Sequence, residues 1–224
     1  HDGHLELQVI DSSASRRMVS EAMLLMGAVV ASIGKADQVA LPFRSQARAE
    51  LPAKTELERI PDGPARDAAV QRCLSRGVLG TTPLPHFSLG LEAYVQATSP
   101  IRRYSDLVVH RQLIASLDHQ VPLTNEQLTD VINGLESPMR QAIQISREDQ
   151  RHWQRIWFAS HLGQEWSMQF LRWLREQDRL ALVHVNELAM GIVGRLAVEA
   201  PEPGQLMTCK VAVPDDSDST MLIS

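Results

Sequence analysis

The residues with the most chemistry per position lie in one short stretch, TSPIRRYSD, residues 98–106. Ser99 is a good helix N-cap, and Pro100 fits the first helical position, where its missing N–H costs nothing. Tyr104, Leu107, Val108, Ile114 and Leu117 then recur at helical spacing. The pattern predicts a helix with Arg102 as its third residue and Arg103 next. That is the wrong end for cations, because a helix N-terminus already carries about half a positive charge and a like charge there loses about 0.3–1 kcal/mol. Arg102 can reach Asp106 at i+4, but a surface pair in that order is worth little. A bound anion reverses the sign. Free backbone N–H groups, the hydroxyls of Thr98 and Ser99 and two guanidinium groups together make a phosphate site. A solvated arginine pair on a surface helix is the competing reading, and spacing alone does not choose between them.

Other chemistry is thinner. The eight histidines show no HExxH-type spacing, and His1 and His4 form an HxxH read as a solvated pair rather than a metal site. Cys73 and Cys209 are far apart and form no CxxC, which argues against a disulfide framework or a structural zinc and suits a reducing, cytoplasmic setting. Arg147, Arg151 and Arg155 fall at i, i+4 and i+8, a basic helical stripe that serves either as a solvated face or as a wall for RNA. The net charge of −5 means nucleic acid has to be held by a local basic groove, against the global field.

These residues must be positioned by a chain of 224 residues, 44% hydrophobic, enough for one large core or for a domain plus a small one. No unbroken apolar run approaches ~20 residues, so no membrane span is expected. The opening HDGHLELQVIDSSAS reads as if entered midway, with a short strand at 5–10, and suggests the C-terminal portion of a longer protein. A helix is predicted over 15–33, with Met18, Ala22, Met23, Met26, Val29, Val30 and Ile33 on its buried face and Gly34 as its stop. An extended VALPFRSQ follows, then a polar loop, a helix over 65–76 and a strand EAYVQAT leading into the arginine helix. Helices are predicted over 124–134, where Thr124 and Gln127 resemble a capping box, and over 137–175 with a break at Gly163. From about Gln177, LALVHVNE, MGIVGRLAVE, QLMTCKVAV and TMLIS are short β-type runs between Pro, Gly and Asp. The run PDDSDS reads as an exposed acidic turn.

The stretch HFSLGLEAYVQATSPIRRYSDLVVHRQL closely resembles the signature of the ribonuclease II family of exoribonucleases. The match covers His86, Gly90, Tyr94, Thr98, Ser99, Pro100, Ile101, Arg102, Arg103, Tyr104, Asp106 and His110. RRMVSEAMLLMGAVVA and LPFRSQ resemble upstream segments of the same family. The resemblance implies an α+β protein. Residues 1–176 would be the helix-rich C-terminal part of a mixed α/β nuclease domain, and residues 177–224 a small antiparallel, oligonucleotide-binding-type (OB) barrel. It implies processive 3′–5′ hydrolysis of single-stranded RNA to nucleoside 5′-monophosphates, with magnesium as cofactor. Arg102 would stabilise charge building on the phosphoryl oxygens. Arg103 would bind backbone phosphate or form a structural ion pair. Thr98 and Ser99 would hold the phosphate, and Tyr94 would be either a base platform or a structural tyrosine. His86 would touch RNA or brace its loop. Glu148 would sit near the RNA 3′ end. His110 reads as a hydrogen-bonded core histidine paired with Asp106, and Phe43 as a core residue before a base-stacking one.

The family holds its metal with closely spaced aspartates upstream of the helix that begins near Ser15. Asp2 and Asp11 do not match that cluster, and Asp215 and Asp216 are in the wrong domain. The expected partners are therefore single-stranded RNA and an N-terminal part of the same protein that carries the metal ligands, with no membrane. Alone, this stretch is expected to be inactive. A catalytically dead RNA-binding or scaffold relative is the alternative, and a structural module whose arginines only form ion pairs is a third.

Overall fold

The structure, a computed structural model, describes residues 5–10, 13–214 and 220–224. His1, Asp2, His4, Asp11, Asp215 and Asp216 lie outside the described residues. In chain order the elements are α1 (Ala14–Ala36), β1 (Phe43–Ser45), α2 (Lys54–Leu57), α3 (Pro64–Cys73), β2 (Val78–Gly80), a 3-10 turn (Phe87–Leu89), α4 (Tyr104–Leu117), α5 (Asn125–Ala159), β3 (Glu165–Arg175), β4 (Leu180–Val185), β5 (Met190–Leu196), β6 (Leu206–Ala212) and β7 (Leu222–Ile223). Two units emerge: residues 11–49 with 74–143, and residues 1–10 with 50–73 and 144–224.

In the first unit, Ser13 caps α1 by accepting the Arg16 N–H. The helix is where its spacing predicts, but it buries a different face. Gly27, Val30, Ala31 and Gly34 are buried, whereas Met18, Met26, Val29 and Ile33 are exposed. The reason is close approach. A β-carbon on Gly27 would lie 2.2 Å from Tyr94 Cε2 and 2.6 Å from the Val95 carbonyl oxygen. Gly34 does not end the helix; it makes room for Leu41. By length and composition α1 is also apolar enough to cross a membrane, which a count of unbroken apolar runs does not foresee. Val30, Ala31, Val39, Leu41, Phe43, Val95, Ala97 and Val109 form one core, so Phe43 is a packing residue.

β1 pairs antiparallel with β2, and the expected strand at 92–98 contributes only an isolated bridge from Val95 to Phe43. The arginine helix starts a turn later than predicted. Ser99 is not its N-cap: Pro100 and Ile101 belong to a turn, and α4 begins at Tyr104 with Arg103 in the cap position. α4 buries Ser105, Asp106, Val108, Val109 and Gln112, while Tyr104, Ile114 and Leu117 are exposed. Gln112 is held among backbone groups: its Nε2 donates to the carbonyls of Ala40 and Leu123, and its Oε1 accepts the Leu123 N–H.

Thr124 and Gln127 form the reciprocal capping box at the start of α5, with bonds of 3.3 and 3.0 Å. The two predicted helices are one, running through Gly134 and Pro138. A proline inside a helix loses one backbone hydrogen bond, but its φ already suits the helix, and the residues on both sides keep helical spacing.

In the second unit β3, β4, β5, β7 and β6 close into a barrel. The boundary expected at residue 177 is too late, because β3 occupies 165–175, a stretch predicted as helix. Gly163, in the left-handed region at φ 82°, separates the end of α5 from this strand. Most neighbours are antiparallel, but β5 and β7 pair in parallel, Leu196 opposite Ile223. Alternate residues point inward: Ala181, Val183 and Val185 from β4, and Met207, Cys209 and Val211 from β6. They meet Trp166, Met168, Phe170, Ile192 and Ile223, with Trp157 and Phe158 of α5 in the same core. Residues 5–10 form no strand; Leu7 packs on the barrel core. The observed architecture is the expected α+β one, helices followed by an OB-type barrel.

Candidate functional site

The turn before α4 is organised by one buried carboxylate. Asp106 is 0% exposed. Its Oδ2 accepts the Ser99 N–H at 2.9 Å and two bonds from Arg103, from Nε at 2.9 Å and from an Nη at 2.7 Å. Its Oδ1 accepts the Ser105 hydroxyl. The same Arg103 Nη also donates to Thr98 Oγ1 at 3.2 Å. The Ser99 carbonyl accepts the N–H groups of Arg102 and Arg103 at 3.2 and 2.9 Å. The backbone from 98 to 106 is thus folded around Asp106, and a carboxylate with four donors needs no solvent.

The two adjacent arginines therefore have different fates. Arg103 is committed to the protein's own carboxylate. Arg102 is exposed, and its guanidinium makes no hydrogen bond or ion pair among the described residues. It stands next to Ile101, whose side chain is fully in solvent. Ile101 and Arg102 are thus displayed together on a turn hydrogen-bonded to Asp106 from beneath. Asp106 is the expected partner of Arg102 or His110, but it bonds Arg103 and neither of those side chains. His110 Nε2 instead donates to the Ala97 carbonyl at 2.7 Å, which ties α4 to the incoming chain.

Behind the turn lies a second group. Tyr94 is half-buried, its ring against Gly27 and edge-on to His86 with centroids 6.0 Å apart. Burial pushes the Tyr94 phenol up, Asp106 adds to this, and Arg103 and Arg44 oppose it. His86 is buried, exchanges backbone hydrogen bonds with Leu91 across the 3-10 turn, and has its pKa lowered by burial and then by the Arg44 guanidinium. Gly90, at φ 64°, lets that turn close. Gln46 supports the loop: its Nε2 donates to the Ser75 carbonyl and its Oε1 accepts the Ser88 N–H, both at 2.8 Å. Neither Gln46 nor Arg44 stands out in the sequence, since a polar residue in a short extended segment carries no periodic signal.

Because the folded-state pKa of His86 lies below its unfolded value near 6.5, the unfolded chain binds the proton first. Its contribution to stability is complete above pH 6.5 and is lost as the pH falls through that value. Replacing His86 by glutamine is therefore expected to flatten the fall in melting temperature between pH 7.5 and 5.5. Parallel pH profiles for parent and variant would contradict this.

Glu148 is on α5 in the other unit, exposed, and accepts a hydrogen bond from Gln144 Nε2 at 2.8 Å. The structure thus gathers Thr98, Ser99, Arg102 and Arg103 on one turn, with Tyr94 and His86 in the same unit, and carries Glu148 on a separate one. Among the described residues no three His, Cys, Asp or Glu side chains converge where a metal ion could be held.

The model of the RNB domain matches residues 2–119, more than half of the chain. This chain belongs to the ribonuclease II, or RNB-domain, family. It is 36% identical over 216 residues to an uncharacterised ribonuclease, sll1290, of Synechocystis, covering 96% of this chain and 32% of that protein. The chain therefore spans about a third of that relative's length. Its fold is that of Mycoplasma genitalium RNase R, solved with ribose-methylated single-stranded RNA (TM-score 0.74, 17% identity, 96% of this chain and 42% of that one). Yeast Ssd1, described as a pseudonuclease, shares it less closely (TM-score 0.53, 18% identity, 85% of this chain and 28% of that one). The TSPIRRYSD turn built around Asp106 lies within the matched residues.

Proposed function

We propose that this chain is the phosphate-gripping part of a 3′–5′ exoribonuclease that degrades single-stranded RNA processively to nucleoside 5′-monophosphates, in the cytoplasm. The observation that carries the reading is the division of labour between the arginines: Asp106 neutralises Arg103, while the Arg102 guanidinium has no partner among the described residues on a turn bonded to Asp106. An unpaired guanidinium held in place before substrate arrives pays little reorganisation when charge builds on a phosphoryl oxygen. Arg102 is assigned that role. Ser99 and the turn backbone seat the phosphate. Thr98 and Arg103 are positioning residues, since both are occupied by the Asp106 network. Half-buried Tyr94 lines the path of the RNA and buried His86 braces its loop; Glu148 belongs to the other unit and is assigned no part beside Arg102. The resemblance implies magnesium. The described residues do not suit it, so its ligands would lie outside the described residues.

The test is an assay of the intact protein on single-stranded RNA labelled at either end, with magnesium. A 3′ label should appear at once in mononucleotides, while a 5′ label stays on a shortening strand. Internal cuts would refute the direction. A fold shared with a pseudonuclease, and the lack of a metal-ligand cluster among the described residues, favour one second reading, an inactive RNA-binding relative. It predicts RNA that is retained and never shortened.

A further inference from the structure

Residues 50–73 make an excursion in the chain. They follow β1 and precede β2, which pair with each other, yet they are grouped with the barrel. Within the barrel unit they are seated at two points. α3 packs against β3, and its Ala65 is fully buried. Pro61 lies on Gly204, where a β-carbon would be 2.4 Å from Pro61 Cδ and 2.8 Å from its Cγ. Gly204, at φ 91°, is itself fixed to β3. Its N–H donates to the Phe170 carbonyl at 2.7 Å, and its carbonyl accepts Gln169 Nε2 at 3.2 Å. The excursion is also braced internally. Arg66 bonds the Ile60 carbonyl through Nε at 3.0 Å and through an Nη at 2.6 Å, and it pairs with Asp62.

Where the excursion ends, the chain is tied to the loop that carries His86. α3 stops at Cys73, and two residues on, the Ser75 carbonyl accepts Gln46 Nε2 at 2.8 Å. The Ser75 hydroxyl donates to the Ala47 carbonyl at 3.4 Å. The other end of the Gln46 amide accepts the Ser88 N–H, and the Gln46 backbone bonds the Pro85 carbonyl and the Phe87 N–H. Gln46 is buried, so losing either amide partner leaves a desolvated polar group unmet. A bond of 2.8 Å does not survive a shift of about 1 Å. Only Leu74 separates α3 from Ser75, which leaves little chain to absorb such a shift.

We propose that residues 50–73 are a strap, a conformational link through which the barrel controls the loop at 85–91. While Pro61 and α3 are seated, the Ser75 carbonyl stays on Gln46, and Gln46 holds Ser88. When β3 or the Gly204 turn releases the strap, Ser75 moves off the Gln46 amide and the loop loses its anchor. The coupling runs through the covalent chain and one buried amide. It operates in the same way whatever reaction the protein performs.

Hydrogen–deuterium exchange of the intact protein, read by mass spectrometry, tests the strap. Pro61→Gly removes the ring seated on Gly204, and Ala65→Leu overfills the buried side of α3. Each should speed exchange in peptides covering 85–91 by about fivefold or more, the lower end of ordinary coupling between sites. Peptides covering 105–112 of α4 should stay within about twofold of the parent. Gln46→Ala should speed 85–91 to a similar degree. Adding Pro61→Gly to Gln46→Ala should then change that rate by less than about twofold, because the strap acts through the amide already removed. Unchanged exchange at 85–91 in Pro61→Gly would overturn the proposal, even if Ala65→Leu fails to fold. Equal acceleration at 85–91 and 105–112 would also overturn it, since that marks general loosening. So would full additivity in the double variant.

Discussion

Replacing Arg102 by alanine in the intact protein is expected to lower RNA turnover by about 10²–10³-fold, the cost of losing one preorganised charge-stabilising donor. The loss should fall on kcat far more than on KM, because charge on the phosphoryl oxygens grows only on the way to the transition state. The fold should not notice. The Arg102 side chain is exposed and bonds nothing among the described residues, so the change in stability should stay within about 0.5 kcal/mol. Arg102→Lys should recover part of the rate, since a lysine supplies the charge without the planar fork. Single-turnover kinetics with saturating protein measure this directly. A variant that cleaves at the parent rate would remove Arg102 from the chemistry and leave Ile101–Arg102 as a binding edge alone.

The second large effect concerns stability. Asp106→Ala removes the acceptor of the Ser99 N–H, of both Arg103 bonds and of the Ser105 hydroxyl in one step. Removing one partner of a fully buried ion pair costs about 3–5 kcal/mol. The lower end applies, about 3 kcal/mol, because the Arg103 side chain is 27% exposed and can turn towards water. Arg103→Ala should cost at least as much, since it strands a fully buried carboxylate with two neutral donors, whereas Asp106→Ala leaves a guanidinium that can reach water. Equilibrium denaturation of the three proteins tests the order. Activity should fall with Asp106→Ala even under conditions where the variant is folded, because the turn that aims Arg102 is no longer fixed. An Asp106→Ala protein as stable as its parent would mean that the turn is held by the backbone bonds to the Ser99 carbonyl alone, and Asp106 would lose its organising role.

These two results bear on different arginines, and the distinction between them was not visible in the chain. Adjacent arginines at 102 and 103 read alike, and both looked misplaced at a helix start. The helix in fact begins after them, so the dipole argument applies to neither in its original form. What decides their roles is the position of Asp106. Three residues after Arg103 and buried, it meets Arg103 and cannot also meet Arg102.

The amino-acid sequence by itself determined the family, through a dozen positions at fixed spacing, and with it the α+β class and the barrel. It also determined local features whose partners are neighbours in the chain: the start of α1, the Thr124–Gln127 capping box, and the break at Gly163. Such features depend on contacts within about four residues, which spacing reports. Only the tertiary structure decided which faces are buried. α1 turns Gly27 and Gly34 inward because Tyr94 and Leu41 come close to its backbone, and hydrophobicity alone ranks Met18 and Ile33 above them. β3 is a strand because β4 and β6 flank it, although its Met, Leu, Gln and Arg content suits a helix equally well. A cleft beside Arg147 and Arg151 likewise exists only once the barrel stands next to α5. Burial, pairing and concavity are relations between segments distant in the chain, and no local pattern encodes the partner.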